Sequence, residues 1–301
     1  GKNETPSLHV ENKTNTLPRL SDSQPLGKRA QILSLAYAGR GQAHEQLGQL
    51  KAALEDYEQA MAILPQDTQI YLRSGNVRTK LKDFTGAVND YTIALEKEPE
   101  FHEALMRRAA AYKRLQNYRA AVDDYGQVLR ISPETRRAYI ERAKLFMTLS
   151  TYDRALEDFS VALGLNLQDA ETLTNRGSCY GNLGQSGLAQ KDFAEAIRLN
   201  PRSPIAYNNL GWLLATCADP NYRNGKQAVL HARKACELLD WKSTDALDTL
   251  AAACAEVGRF EEALKWQNKA IDLAPDAAIP PLQSRLDLYR SGKPYRDKIG
   301  E

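Results

Sequence analysis

Residues 109–133 read AAAYKRLQNYRAAVDDYGQVLRISP, and the architecture follows from them. Ala109 and Tyr112 continue a helical spacing of small and apolar residues that starts at Leu105. Ala121 and Tyr125 open the same spacing again after Leu115, the pattern of a second helix with one buried face. Pro133 closes that helix, because proline lacks the backbone donor and pushes the preceding residue out of helical space. A step of 34 residues in either direction meets the same residue types. Leu47, Leu81, Leu115, Leu149 and Leu183 keep this spacing, as do Ala53, Ala87, Ala121, Ala155 and Ala189. Asp56, Asp90, Asp124, Asp158 and Asp192 keep it too, and so do the aromatics Tyr57, Tyr91, Tyr125, Phe159 and Phe193. Pro65, Pro99, Pro133 and Pro201 mark the ends, with Leu167 where the fourth proline is expected. A period this long means one supersecondary unit stacked on copies of itself.

Working outward, helix-turn-helix repeats fall near 34–67, 68–101, 102–135, 136–169, 170–203, 204–242 and 244–277. The sixth is longer by five residues, placed between Cys217 and Gly225 where Asp219-Pro220-Asn221 reads as a turn. Trp212 to Ala215 carries no polar side chain and is expected to be buried on several sides. Residues 1–25 are polar, with three prolines and no helical period, and read as a flexible leader or linker. Residues 26–278 hold the array. Residues 279–301 read as an amphipathic capping helix, opened by Pro280 and Pro281, followed by a frayed charged tail after Gly292.

The small residues Gly41, Gly75, Ala109, Ala143 and Gly177 sit where two helices cross closely, and the aromatics are expected to fill the space between repeats. Together with the alanine and proline positions, this pattern resembles the tetratricopeptide repeat (TPR) family over most of the chain, with a weaker likeness to bacterial multi-repeat members in the closing repeats. The resemblance implies an all-α, right-handed α–α superhelix of about seven repeats plus the cap. It also implies a non-enzymatic scaffold whose first helices line a concave face for protein ligands.

The residues themselves exclude most other classes. The phosphate-loop and HExxH patterns are absent, and Gly39 and Gly41 lie inside a helical pattern, with His44 at the third glycine position. His44 reads as packing, His102 and His231 as surface. Cys179, Cys217, Cys236 and Cys254 form no CxxC pair and read as free buried thiols, which fits a reducing compartment such as the cytoplasm slightly better than an oxidising one. No metal, cofactor or membrane span is expected. The chain opens on Gly1 rather than Met, as a trimmed chain does, so the lack of a targeting segment carries no weight. The formal charge of +2 is too small to argue for nucleic acid.

The groove positions that the resemblance implies are unevenly charged. Repeats two to four place Arg73, Lys80, Arg107, Lys113, Arg114, Arg137 and Lys144 there against Glu103 and Glu141. Repeats five to seven place Glu171, Asp245, Asp248 and Glu256, with Thr249 and Trp212. A basic stretch on a concave wall attracts acidic ligands, so an extended acidic peptide of a protein partner is the expected ligand. The rival readings are electrostatic polyanion binding and an assembly domain of a larger chain. Of the carboxylate clamp of chaperone-binding TPRs, Asn76 matches one position but Leu72 stands where its lysine is expected. Asn175 and Asn209 match only the asparagine, and their spacing suggests two rungs of an amide ladder for a peptide backbone. Arg40, Arg108, Arg142 and Arg176 also recur, and read as arginines whose stems pack between repeats.

Overall fold

The computed structural model describes residues 26–297, and all regular structure among them is helical. The chain divides into two compact bodies at Asp124, within one helix. In the N-terminal body, α1 (Leu26–Gln46) pairs with α2 (Leu50–Ile63) and α3 (Thr68–Lys80) with α4 (Phe84–Lys97), before α5 (His102–Arg114). The dividing helix is α6 (Tyr118–Ile131). The C-terminal body then holds α7 (Arg136–Thr148) with α8 (Tyr152–Leu165), and α9 (Ala170–Asn182) with α10 (Ser186–Leu199). It closes with α11 (Pro204–Thr216) and α12 (Gly225–Leu238), α13 (Thr244–Glu256) and α14 (Phe260–Leu273), and α15 (Ile279–Arg290). The leader at 1–25 and residues 298–301 lie outside the described residues.

The period has a structural cause at each turn. Gly48, Lys82, Gln116, Ser150 and Gly184 all have φ between 55° and 74°, the left-handed conformation that ends a helix and releases the chain into the next one. Second helices begin two residues later, several under a side-chain cap. Asp83 accepts from the Gly86 amide at 2.9 Å at the second helix α4, and a first helix, α9, is capped alike by Asp169 through the Glu171 and Thr172 amides. Ala53, Ala87, Ala155, Ala189 and Ala263 are fully buried, which lets paired helices approach closely.

The aromatics differ in place from the sequence reading. They press on the small residue of their own helix pair rather than only filling the space between repeats. A Cβ added at Gly75 would lie 2.5 Å from the Tyr91 ring, and one at Gly177 would lie 2.7 Å from Phe193. The ring needs the gap that the missing side chain leaves. In the long sixth repeat the extra residues form a short 3₁₀ turn, Pro220–Tyr222, whose tyrosine lies over Gly187.

A single core runs through the last repeats, from Ala189 through Leu210, Leu213, Leu214 and Leu250 to Leu282 and Tyr289 of α15. Leu213, Leu214 and Ala215 are buried as expected, and Trp212 is half-buried. The capping helix thus covers apolar surface that the last pair would otherwise expose.

Candidate functional site

The recurrent arginines and aspartates prove to be partners. Arg40 grips Asp56 through Nε at 2.9 Å and Nη2 at 2.5 Å. Arg108 grips Asp124, Arg142 grips Asp158 and Arg176 grips Asp192 in the same two-pronged way, at 2.7–2.9 Å. A planar guanidinium matches a carboxylate in this geometry. The arginine packing read from the sequence is therefore incomplete, because the head group is fixed as firmly as the stem. Ser74 stands where the second repeat lacks the arginine; its hydroxyl donates to Asp90 at 2.7 Å, and Arg78 supplies a guanidinium at 3.0 Å. Burial still raises the Asp90 carboxyl above its ordinary range, against the pull of Ser74 and Arg78. These pairs hold helices together and engage each arginine head group with an internal carboxylate.

The expected groove residues of the N-terminal body are mostly engaged within their own fold. Lys80 Nζ lies 2.7 Å from Glu45, and Arg107 lies 3.2 Å from Glu103. Arg114 sits over the Phe84 ring at 5.2 Å. Arg73 acts on the Tyr57 hydroxyl, which burial and Glu45 push up to about 12. Asn76 accepts from the Tyr91 hydroxyl at 2.9 Å, and Lys113 is half-buried. Leu72, at the missing clamp lysine, is buried.

In the C-terminal body, Arg137 is exposed and Lys144 lies 2.6 Å from Glu171. Asn209 donates to Ser178 Oγ at 3.1 Å, while Asn175 is half-buried one turn away on α9. Beside Asn209 opens a cleft of about 950 Å³, lined by Ser178 and Asn182 of α9, by Asn208, Asn209 and Trp212 of α11, and by Tyr295, Arg296 and Asp297. The Asn208 Oδ1 atom is buried there without a hydrogen-bond partner.

Three expectations are corrected here. The segment after Gly292 is docked as far as Asp297 rather than frayed. The Asp297 amide donates to Thr216 O at 2.9 Å, and its carboxylate accepts from Trp212 Nε1 at 2.8 Å and from the Thr216 hydroxyl. Of the acids of repeat seven, Asp245 is exposed but Asp248 and Glu256 are not open. Asp248 is bound by Arg285 at 2.8 Å and by the buried Gln267 at 2.8 Å, Thr249 is buried, and Glu256 joins Arg223 and Arg296. His231 is half-buried against Tyr207, at 5.8 Å between rings, and burial lowers its pKa. His44 packs as expected, 3.8 Å from Asp56 and bonded to Gln49. All four cysteines are buried and free. Among the described residues no cluster of His, Cys, Asp or Glu is placed to hold a metal, and no helix is long and apolar enough to cross a membrane.

Sequence profiles described as tetratricopeptide repeat match residues 34–67, 107–170, 170–203 and 244–277, together more than half of the chain. No curated protein matches the sequence significantly. Among solved structures, a tetratricopeptide repeat protein from Parabacteroides merdae superposes with a TM-score of 0.60 at 18% identity, covering 85% of this chain and 98% of that one. MamA from Desulfovibrio magneticus gives 0.53 at 18% identity over 56% of this chain and 95% of that one. YrrB, described as a TPR protein with an unusual peptide-binding site, gives 0.51 at 22% identity over 65% of this chain and 98% of that one. At these identities the likeness is one of fold. Paired helices, left-handed turns in a 34-residue register and the profile matches agree, and the protein belongs to the tetratricopeptide repeat family as a multi-repeat, non-enzymatic interaction scaffold.

Proposed function

We propose that this scaffold binds an extended, acidic peptide segment of a protein partner on the exposed faces of its first helices. The observation that carries the reading is the character of the ion pairs on those faces. Lys80–Glu45, Arg107–Glu103 and Lys144–Glu171 are solvent-exposed, and such pairs are worth about 0–1 kcal/mol. An incoming carboxylate therefore displaces them at small cost. The Arg–Asp pairs behind them are largely buried and do not exchange. Arg137, exposed and without a partner among the described residues, adds a cation already open to solvent.

A fluorescein-labelled oligoglutamate titrated by anisotropy tests the reading, with oligolysine as control. Each body is probed with its own charge reversal: Arg107→Glu/Lys113→Glu, and Arg137→Glu/Lys144→Glu. Binding that falls at least about tenfold in a reversed variant of unchanged helix content supports the reading, since about 1.4 kcal/mol is lost per decade. Equal binding of oligoglutamate and oligolysine, or no loss in either variant, refutes it. A steep salt dependence with many ions released marks polyanion binding instead.

A further inference from the structure

The docked segment after α15 makes contacts of the kind a ligand makes. Tyr295 lies with its ring centroid 5.7 Å from that of Trp212. The Arg285 guanidinium sits 5.4 Å from both rings and is itself held by Asp248 at 2.8 Å. Arg296 pairs with Glu256, which also binds Arg223 of the long sixth repeat, so one carboxylate ties two segments. Asp297 makes one main-chain bond to Thr216 O and presents its carboxylate to an indole N–H and a hydroxyl. The backbone bond gives a binding mode independent of side chains. The three side chains give a code: aromatic, basic, acidic, each with its own receptor.

We propose that Tyr295-Arg296-Asp297 is a resident ligand of the α11–α13 face, and that this face exchanges it for an extended partner segment carrying an aromatic, a basic and an acidic residue in succession. The proposal rests on the reading that first-helix faces bind extended peptides, and names the partner chemistry and the regulation of one such face. The cleft continues past the docked residues along α9 and α11, between Asn182 and Asn208. A longer segment entering there fills space that the resident tripeptide leaves open. A site occupied by its own chain binds in proportion to the fraction of time it stands empty. The tail thus sets a threshold that a weak or mismatched segment does not pass.

The test uses the full chain and a fluorescein-labelled, C-terminally amidated peptide reproducing residues 291–297. Wild type is compared by anisotropy with Tyr295→Ala/Asp297→Ala, whose helix content is checked by circular dichroism. The single Asp297→Asn variant, which keeps the side-chain shape, is run alongside. We expect the double variant to bind at least about tenfold more tightly than wild type, with Asp297→Asn between them. Peptides in which the tyrosine or the aspartate is replaced by alanine should bind the double variant at least about tenfold more weakly, reporting on the face without altering the protein. Equal affinity of wild type and double variant overturns the proposal. So does a double variant that binds no peptide, or one that binds the alanine peptides equally well. Oligoglutamate binding reports separately on the basic residues, so either reading can fail while the other stands.

Discussion

Asp158 shows why the repeated acid is there. It is 4% exposed, and Arg142 spans from the neighbouring helix to cover both of its oxygens. Removing the guanidinium leaves a buried charge without a counter-ion, and such losses cost about 3–5 kcal/mol. Arg142→Met should therefore lower stability by about 3 kcal/mol in urea unfolding. Replacing both partners, Arg142→Met with Asp158→Leu, should cost less than half as much, since the stranded charge is gone. A double variant no more stable than the single one would show that the pair does not act through desolvation. The same logic makes the recurrent arginines poor candidates for ligand contacts, although their side chains remain partly exposed.

Helix pairs depend on two backbone devices, and each predicts a substitution. Ser150 ends α7 at φ 55°, a conformation that costs an L-residue about 1–2 kcal/mol and glycine little. Ser150→Gly should raise stability by about 1 kcal/mol, read as a higher thermal midpoint. Gly177 lies under Phe193, where an added methyl would meet the ring at 2.7 Å. Gly177→Ala should lower stability by about 1–3 kcal/mol, the usual cost of overpacking. Ala143 holds the equivalent position opposite Phe159 in the preceding pair, so each pair sets its own helix separation. A neutral Gly177→Ala would mean that the ring shifts freely.

The last repeats share one core, and their thiols report on its opening. Cys236 and Cys254 are fully buried within it, and Cys179 is fully buried one repeat earlier. Burial pushes Cys179 and Cys236 up to about 12 and Cys254 up to about 11. At pH 8 their thiolate fractions are on the order of one in a thousand or less, against roughly a quarter for an ordinary thiol. A disulfide reagent should leave all three unmodified in the native protein, and Cys236 and Cys254 should label together as urea opens the shared core. Labelling of Cys236 well before Cys254, followed by mass spectrometry, would show that the repeats open one at a time. The docked tail belongs to the same assembly, because Arg285 of the capping helix supports both Trp212 and Tyr295.

The repeat register, the helix class and the close helix crossing at the small residues were legible in the residues, because each arises from local periodicity. A buried face must recur every three or four residues, and a turn must recur wherever the unit does. The recurrent arginine and aspartate were both visible, but their union was not. They lie 16 residues apart on facing helices, and only the packing of those helices brings them to 2.7 Å. The candidate site was less legible still. Asp248 read as an open acid until α15 folded over it, and Asp297 read as a loose end until it reached Trp212, 85 residues away. Neither segment repeats, so no period announces the contact. Their places are set by complementary surfaces that exist only once the chain has folded.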